Sequence, residues 1–216
     1  NVVPAISSVF VDIGIGRNAF LHMADMYPPD MTAEERRKNP ITEGCAVLVQ
    51  VIKDGTETKG PRVTCRISFP GRYAVLIAGT DYIGISRKIR SESRREELRH
   101  MGRTFCPAGT GLIVRTAAEK ADPGEMEREI GKLADNWDIV RRRYVLARSP
   151  SLLYREGDLA VRSIRDYMTD DTDRMLADDA AVYKRICDIA VSEDKKWQEK
   201  VFLYDEPGSM METMGA

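Results

Sequence analysis

Histidine and tryptophan are nearly missing from this chain, with two of each in 216 residues. His22 and His100 are too few imidazoles to build a histidine-rich metal centre. Cysteine is sparse as well. Cys45, Cys65, Cys106 and Cys187 stand far apart and never as C-x-x-C, so neither a zinc knuckle nor a disulfide framework is encoded. Reduced, mostly buried thiols in a cytoplasmic protein fit that spacing best. No apolar run approaches the roughly 20 residues of a membrane-spanning helix, and no basic-apolar-small leader opens the chain. Also missing are a P-loop, a dinucleotide fingerprint and any Ser/His/Asp or Cys/His set, which leaves a nucleotide enzyme or a triad hydrolase without support. There is no start methionine: Asn1-Val2-Val3-Pro4-Ala5 runs almost directly into a strand, and the chain reads as cut from a longer one.

What is present is charge, unevenly spread. The formal net charge is −1, with 31% charged and 43% hydrophobic residues. Between Arg87 and Arg103, however, Arg87, Lys88, Arg90, Arg94, Arg95, Arg99 and Arg103 face only Glu92, Glu96 and Glu97. The stretch from Asp166 to Asp179 is correspondingly acidic. A basic middle in a neutral chain suggests a phosphate-bearing partner met on one face.

Alternating strands are expected at 9–14, 19–22, 46–52 and 63–68, separated by Gly, Pro and Asn, so residues 1–68 read as a small β-barrel or sandwich. Residues 28–42, with three prolines and the run Glu34-Glu35-Arg36-Arg37-Lys38, read as a solvated loop or short helix. Strands follow at 73–77 and 84–86, then a charged helix at about 91–101 and the strand Gly111-Leu112-Ile113-Val114. Asp122-Pro123-Gly124-Glu125 supplies an N-cap, a proline at the first helical position and the acid of a capping box. After it Met126, Ile130, Leu133, Trp137, Val140 and Tyr144 recur at four-and-three spacing, the mark of a long amphipathic helix whose stripe is core. Beyond Ser149-Pro150, helix, strand, helix and strand at about 158–169, 174–177, 179–191 and 200–204 predict a small α/β unit. The closing GSMMETMGA carries no pattern.

Three constellations are candidates for chemistry. Phe10 and Phe20 lie on strands joined by a Gly14–Asn18 turn, while Lys53 and Lys59 bracket the loop KDGTETKG. They are either core phenylalanines with solvated lysines, or a platform that stacks bases and guides a backbone. Arg87 and Arg115 each follow a Gly-plus-apolar strand, and Thr116 adds a hydroxyl. Either these strands simply reach the surface, or two guanidiniums converge on an anion. A terminal phosphate would gain more from that pair than a chain-internal phosphodiester. Lastly, Asp166, Asp170, Asp171, Asp173, Asp178 and Asp179 invite a two-metal nuclease reading. Asp170 and Asp171 just after one helix, and Asp178 just before the next, are better explained by turn and cap duties.

Taken together, VFVDIGIGRNAFLHMADM, EGCAVLVQVIKD, KGPRVTCRISFPGRYAVLIAG, IGISRKI, GLIVRTAAE and PSLLYREGDLAVRSIRDYM resemble the N-terminal half of the ribonuclease E/G family of bacterial endoribonucleases. The resemblance implies an α+β, multi-subdomain architecture. Residues 1–67 would form an OB-fold domain of the ribosomal-protein S-one type lacking its first strand, 68–156 a five-prime sensor subdomain, and 157–216 part of a degenerate RNase H-like subdomain. It also implies that Gly71, Val75, Arg87, Arg115 and Thr116 bind a five-prime monophosphate, and that Phe10, Phe20, Lys53 and Lys59 contact RNA. Lys88 stands where relatives often carry a second Arg. The implied partner is single-stranded RNA, five-prime monophosphorylated by preference, and the implied location is the cytoplasm. Magnesium at the cleavage centre, zinc between subunits and homo-oligomerisation are implied for the parent protein. They belong to parts beyond these residues, so this stretch is expected to hold no metal and to bind RNA without cutting it. The rival reading is a non-catalytic RNA-binding scaffold.

Overall fold

The structure, a computed structural model, describes the chain except for residues 4, 6, 28–30, 39, 170, 194, 207 and 214–216. It divides into two compact units, Asn1–Tyr154 and Arg155–Ala216.

The first unit begins with five short strands: β1 (Val2–Val3), β2 (Ser8–Val11), β3 (Ala19–His22), β4 (Gln50–Lys53) and β5 (Arg62–Thr64). They hydrogen-bond in the order β1-β2-β3-β5-β4, with β3 and β5 parallel and the other pairs antiparallel. Alternation sends Val9, Ala19, Leu21 and Val63 to one face, where they bury with Met26. The expected barrel is not closed. Among the described residues no ladder joins β1 to β4, and the sheet is open.

The strand predicted over 46–52 starts only at Gln50. Before it the chain passes between two cores: Leu48 packs against the second and Val49 against the first. The strand predicted over 63–68 splits for the same reason, since Val63 belongs to the first core and Ile67 to the second. Gln50 ties this crossing, its side chain accepting from the Ser68 amide at 2.8 Å and donating to the Ser68 carbonyl at 2.9 Å. Within the solvated 28–42 stretch, α1 (Ala33–Lys38) is a short exposed helix steadied by Thr32 and Glu35.

The second sheet contains β6 (Ser68–Pro70), β7 (Ala74–Ala78), β8 (Ile83–Ile85) and β9 (Thr110–Val114), in the order β6-β7-β9-β8 with only β8 and β9 parallel. Helices α2 (Glu92–Phe105) and α3 (Pro123–Leu146) cover one face, burying Phe69, Ala74, Leu76, Leu112 and Val114 against Leu98, Met126 and Ile130. The capping box of α3 is complete: Asp122 accepts from the Glu125 amide and Glu125 from the Asp122 amide, both at 2.9 Å. Its stripe is buried at Met126, Ile130, Leu133 and Val140 and half-buried at Trp137, but Tyr144 is exposed. Met126 and Tyr144 are about five turns apart and share a face. Tyr144 nonetheless lies outside the core near the end of the helix, and its hydroxyl donates to the Ala46 carbonyl at 3.4 Å.

The second unit holds α4 (Leu159–Tyr167), β10 (Met175–Ala177), α5 (Ala180–Glu193), β11 (Val201–Leu203) and α6 (Met210–Thr213). β10 and β11 pair in parallel, and Ile164, Met168, Ile186, Ala190, Trp197 and Val201 form a separate core. The helix–strand order is as predicted. The tail, read as unpatterned, contributes α6. The molecule is α+β throughout.

Candidate nucleic-acid interface

The parallel pairing of β8 with β9 delivers two basic strand ends to the same edge of the second sheet. Ile85 pairs with Val114, and the Ser86 amide donates to the Val114 carbonyl at 2.9 Å. Arg87 follows Ser86 and Arg115-Thr116 follow Val114 just past the two strands, and the Ser86 and Thr116 hydroxyls lie 2.9 Å apart. Arg87 and Thr116 are exposed and Arg115 is half-buried.

Arg115 is held by the turn between β6 and β7. Its amide donates to the Tyr73 carbonyl at 2.7 Å and its Nη1 to the Gly71 carbonyl at 2.6 Å. The turn is closed by the Gly71 amide on the Ala74 carbonyl, 2.8 Å. Gly71 is required by space: a Cβ there would meet the Glu129 carboxylate at 2.5 Å and the Ala74 carbonyl at 2.9 Å. Val75 pairs with Ile113, and both point away from the helix-covered face. Burial raises the Tyr73 phenol above its ordinary range, opposed by Arg72 and reinforced by Glu125, to which its hydroxyl donates at 3.3 Å.

The basic helix α2 serves this edge in two ways. Arg94 donates to the carbonyls of Ala118, Glu119 and Ala121, and Arg95 to those of Ser86 and Ile89. Arg99 pairs with Glu96. Arg94 and Arg95 thus brace the loops that follow β8 and β9, while Arg99 stays paired within its own helix. Arg87, Lys88, Arg90 and Arg103 remain exposed. The basic middle is thus part scaffold and part free-facing charge.

On the first sheet, Phe10 and Phe20 are register partners, half-buried, with ring centroids 6.1 Å apart in an edge-on arrangement. They lie on the face opposite Val9, Ala19 and Leu21 and outside that core, so the core alternative for this pair is set aside. The row continues across the sheet, since Phe20 pairs with Arg62 and Arg62 with Lys53. Arg62 was not singled out from sequence. Only the register of a parallel pair with β3, some 40 residues away in sequence, brings it beside Phe20. Its guanidinium pairs with Asp25 at 3.3 Å, and Asp25 also faces Arg66 at 3.8 Å. Lys59 sits off the row in the exposed loop before β5. That loop is pinned by Arg17, whose Nη1 donates to the Thr56 and Glu57 carbonyls at 2.8 and 2.7 Å.

Two carboxylates of the acidic stretch are engaged by their neighbours. Asp166 pairs with Arg165, which also binds Glu156. Asp179 caps α5, accepting from the Val182 amide at 2.8 Å, so the cap falls there and not at Asp178. Asp171 lies in a turn fastened by Thr169 and Thr172. Asp170 lies outside the described residues. Among the described residues, no three His, Cys, Asp or Glu side chains group as metal ligands. Among the described residues, no helix is long and apolar enough to cross a membrane.

A sequence profile of the Ribonuclease E/G family matches residues 68–216, beginning at the first residue of β6. This chain belongs to the ribonuclease E/G family. Ribonuclease E of Nostoc sp. is 39% identical over 191 residues, covering 86% of this chain and 27% of the relative. Ribonuclease E of Synechocystis sp. is 35% identical over 191 residues, 86% of this chain and 28% of its own length. Ribonuclease G of Escherichia coli K12 is 34% identical over 194 residues, 86% and 40% respectively. The chain therefore spans less than half the length of these family members.

Proposed function

We propose that this chain is the RNA-binding and end-sensing part of an endoribonuclease for single-stranded RNA in decay or processing. Arg115, Thr116 and Arg87, with Gly71 and Val75 beside them, hold a five-prime monophosphate. Phe10 and Phe20 stack bases, while Arg62, Lys53 and Lys59 neutralise the backbone. In domain terms, 1–67 acts as an incomplete OB-type module, 68–156 as the sensor, and 157–216 as a structural RNase H-like remnant. The observation that carries this reading is the convergence of the β8 and β9 ends, where Ser86 and Thr116 touch and Arg115 is tethered to Gly71. A terminal monophosphate has more charge and more free oxygens than an internal diester, which suits two guanidiniums and a hydroxyl.

Phosphodiester hydrolysis, magnesium-dependent in the family, is assigned to residues outside these 216, a reading supported by Asp179 and Asp166 here serving a helix cap and an ion pair. The 216-residue chain should bind five-prime-monophosphorylated RNA more tightly than the hydroxyl form. Arg115→Ala should erase that preference by about 10- to 100-fold, the value of a charge-assisted hydrogen bond or two at about 1.5–3 kcal/mol. Equal binding of the two RNAs by the wild type would overturn the sensor assignment. Cleavage with magnesium that Asp171→Asn abolishes would overturn the placement of hydrolysis elsewhere.

A further inference from the structure

The turn that holds Arg115 is itself held by one carboxylate. Glu129, on α3, accepts from the Arg72 amide through Oε2 at 2.8 Å, and through Oε1 from the Tyr73 and Ala74 amides at 2.7 and 2.9 Å. Three successive backbone donors therefore converge on one side chain more than 50 residues away in sequence. Such a nest of amides is an anion-binding concavity, here filled by an internal anion. Charge-assisted bonds to a carboxylate are shorter and about twice as strong as neutral ones.

The same turn presents two carbonyls to Arg115, Gly71 to its guanidinium and Tyr73 to its amide. The links run from α3 through Glu129 to the three amides, and from the carbonyls of the same turn to Arg115. Gly71 admits this arrangement because any Cβ would occupy the carboxylate's place. We infer that Glu129 is a positioning residue for the phosphate site proposed above: it fixes the 70–74 turn so that Arg115 is presented in one orientation. The inference rests on that reading of Arg115, and it adds a residue that never touches RNA.

A side-chain amide cannot replace the carboxylate here. In Glu129→Gln one oxygen remains for Tyr73 and Ala74, and the new NH2 meets the Arg72 amide, donor against donor. The test compares wild type, Glu129→Gln, Arg115→Ala and the double variant of the full chain. Each is titrated with one oligoribonucleotide bearing either a five-prime monophosphate or a five-prime hydroxyl, and each is checked for folding by urea unfolding.

Glu129→Gln should cut the monophosphate-to-hydroxyl affinity ratio at least about threefold, with the loss in the monophosphate arm. In the Arg115→Ala background the same substitution should leave the ratio unmoved, which a general structural role would not produce. If Glu129→Gln does not fold, Glu129→Asp carries the test, because it keeps the charge but falls one methylene short of the amides. A folded Glu129 variant that keeps the wild-type ratio, or one that lowers it equally in both backgrounds, overturns the inference and leaves the Arg115 reading standing. A wild type without preference overturns both.

Discussion

The two sheets of the first unit use the same kind of strand for opposite purposes. Among the described residues, the core on the five-stranded sheet holds five, and the sheet's other face carries Phe10, Phe20, Arg62 and Lys53 in one row with no helix packed over it in that core. The four-stranded sheet shares with α2 and α3 a core of sixteen of the described residues, so one of its faces is covered and its basic residues stand at the strand ends. A face offers a broad, repeating surface, suited to stacked bases and a passing backbone. An edge where parallel strands end together concentrates charge at a point, suited to one terminal group. The difference is one of cover: two helices over a sheet leave only its far face and its rim.

That contrast can be broken at several points. The largest effect is expected at Gly60, where a Cβ would lie 2.0 Å from the Asn18 carbonyl. The atom it would meet is backbone and cannot swing aside, so Gly60→Ala should cost about 3 kcal/mol or more, read as a lower urea midpoint. RNA binding by the first sheet should fall with it.

Phe20→Ala should weaken single-stranded RNA binding by about 1 kcal/mol, roughly fivefold, the low end of a stacked base's worth. The loss should be the same for monophosphate and hydroxyl RNA, and nearly independent of salt. If instead it fell only on monophosphate RNA, the division of labour between face and rim would be wrong.

Arg62→Gln tests the charged half of the row. The slope of log affinity against log salt should become shallower by about 0.7, one phosphate contact on a single strand. An unchanged slope would leave Arg62 as a partner of Asp25 and nothing more.

The smallest effect is chemical. Cys45 is exposed, and hydrogen bonding from Thr42 lowers its thiol below the ordinary value. Burial, with Asp25 nearby, pushes the Cys65 thiol up to about 11. At pH 8 an alkylating reagent should label Cys45 first and leave Cys65 intact, as mass spectrometry would read. The sign also applies to stability. A thiol raised in the folded state contributes fully below the unfolded value near 8.5, and that contribution fades as pH climbs toward 11.

Much of the local structure was legible in the residues. The capping box at Asp122 and Glu125, the stripe from Met126 to Val140 and the helix–strand order after residue 158 all depend on neighbours within a turn or two. What was misjudged depended on distant partners. The strand expected over 46–52 lost its first half because Leu48 and Val49 serve different cores. Tyr144 fits the helical period but stands exposed in the last turn of α3, with its hydroxyl on the distant Ala46 carbonyl. The cap of α5 fell one residue later than expected because the geometry of the first turn selects Asp179. The strand-end site was legible as two basic ends, and the families of motifs around it named the protein's relatives. Glu129 gave no signal, since a glutamate on an exposed-looking helix position is indistinguishable from any other.

By itself the sequence determined the α+β class, the longer helices and the capping box of α3, the family, and that Arg87, Arg115 and Thr116 follow strand ends. Those features are set by short-range periodicity, capping chemistry and motif spacing. Only the tertiary structure decided that β8 and β9 run parallel and end together, that Phe10 and Phe20 face away from the core, that Arg62 joins their row, and that the first sheet stays open. Strand pairing is a contact between segments far apart in the chain, and a register shifted by one residue would carry every side chain of the row to the other face.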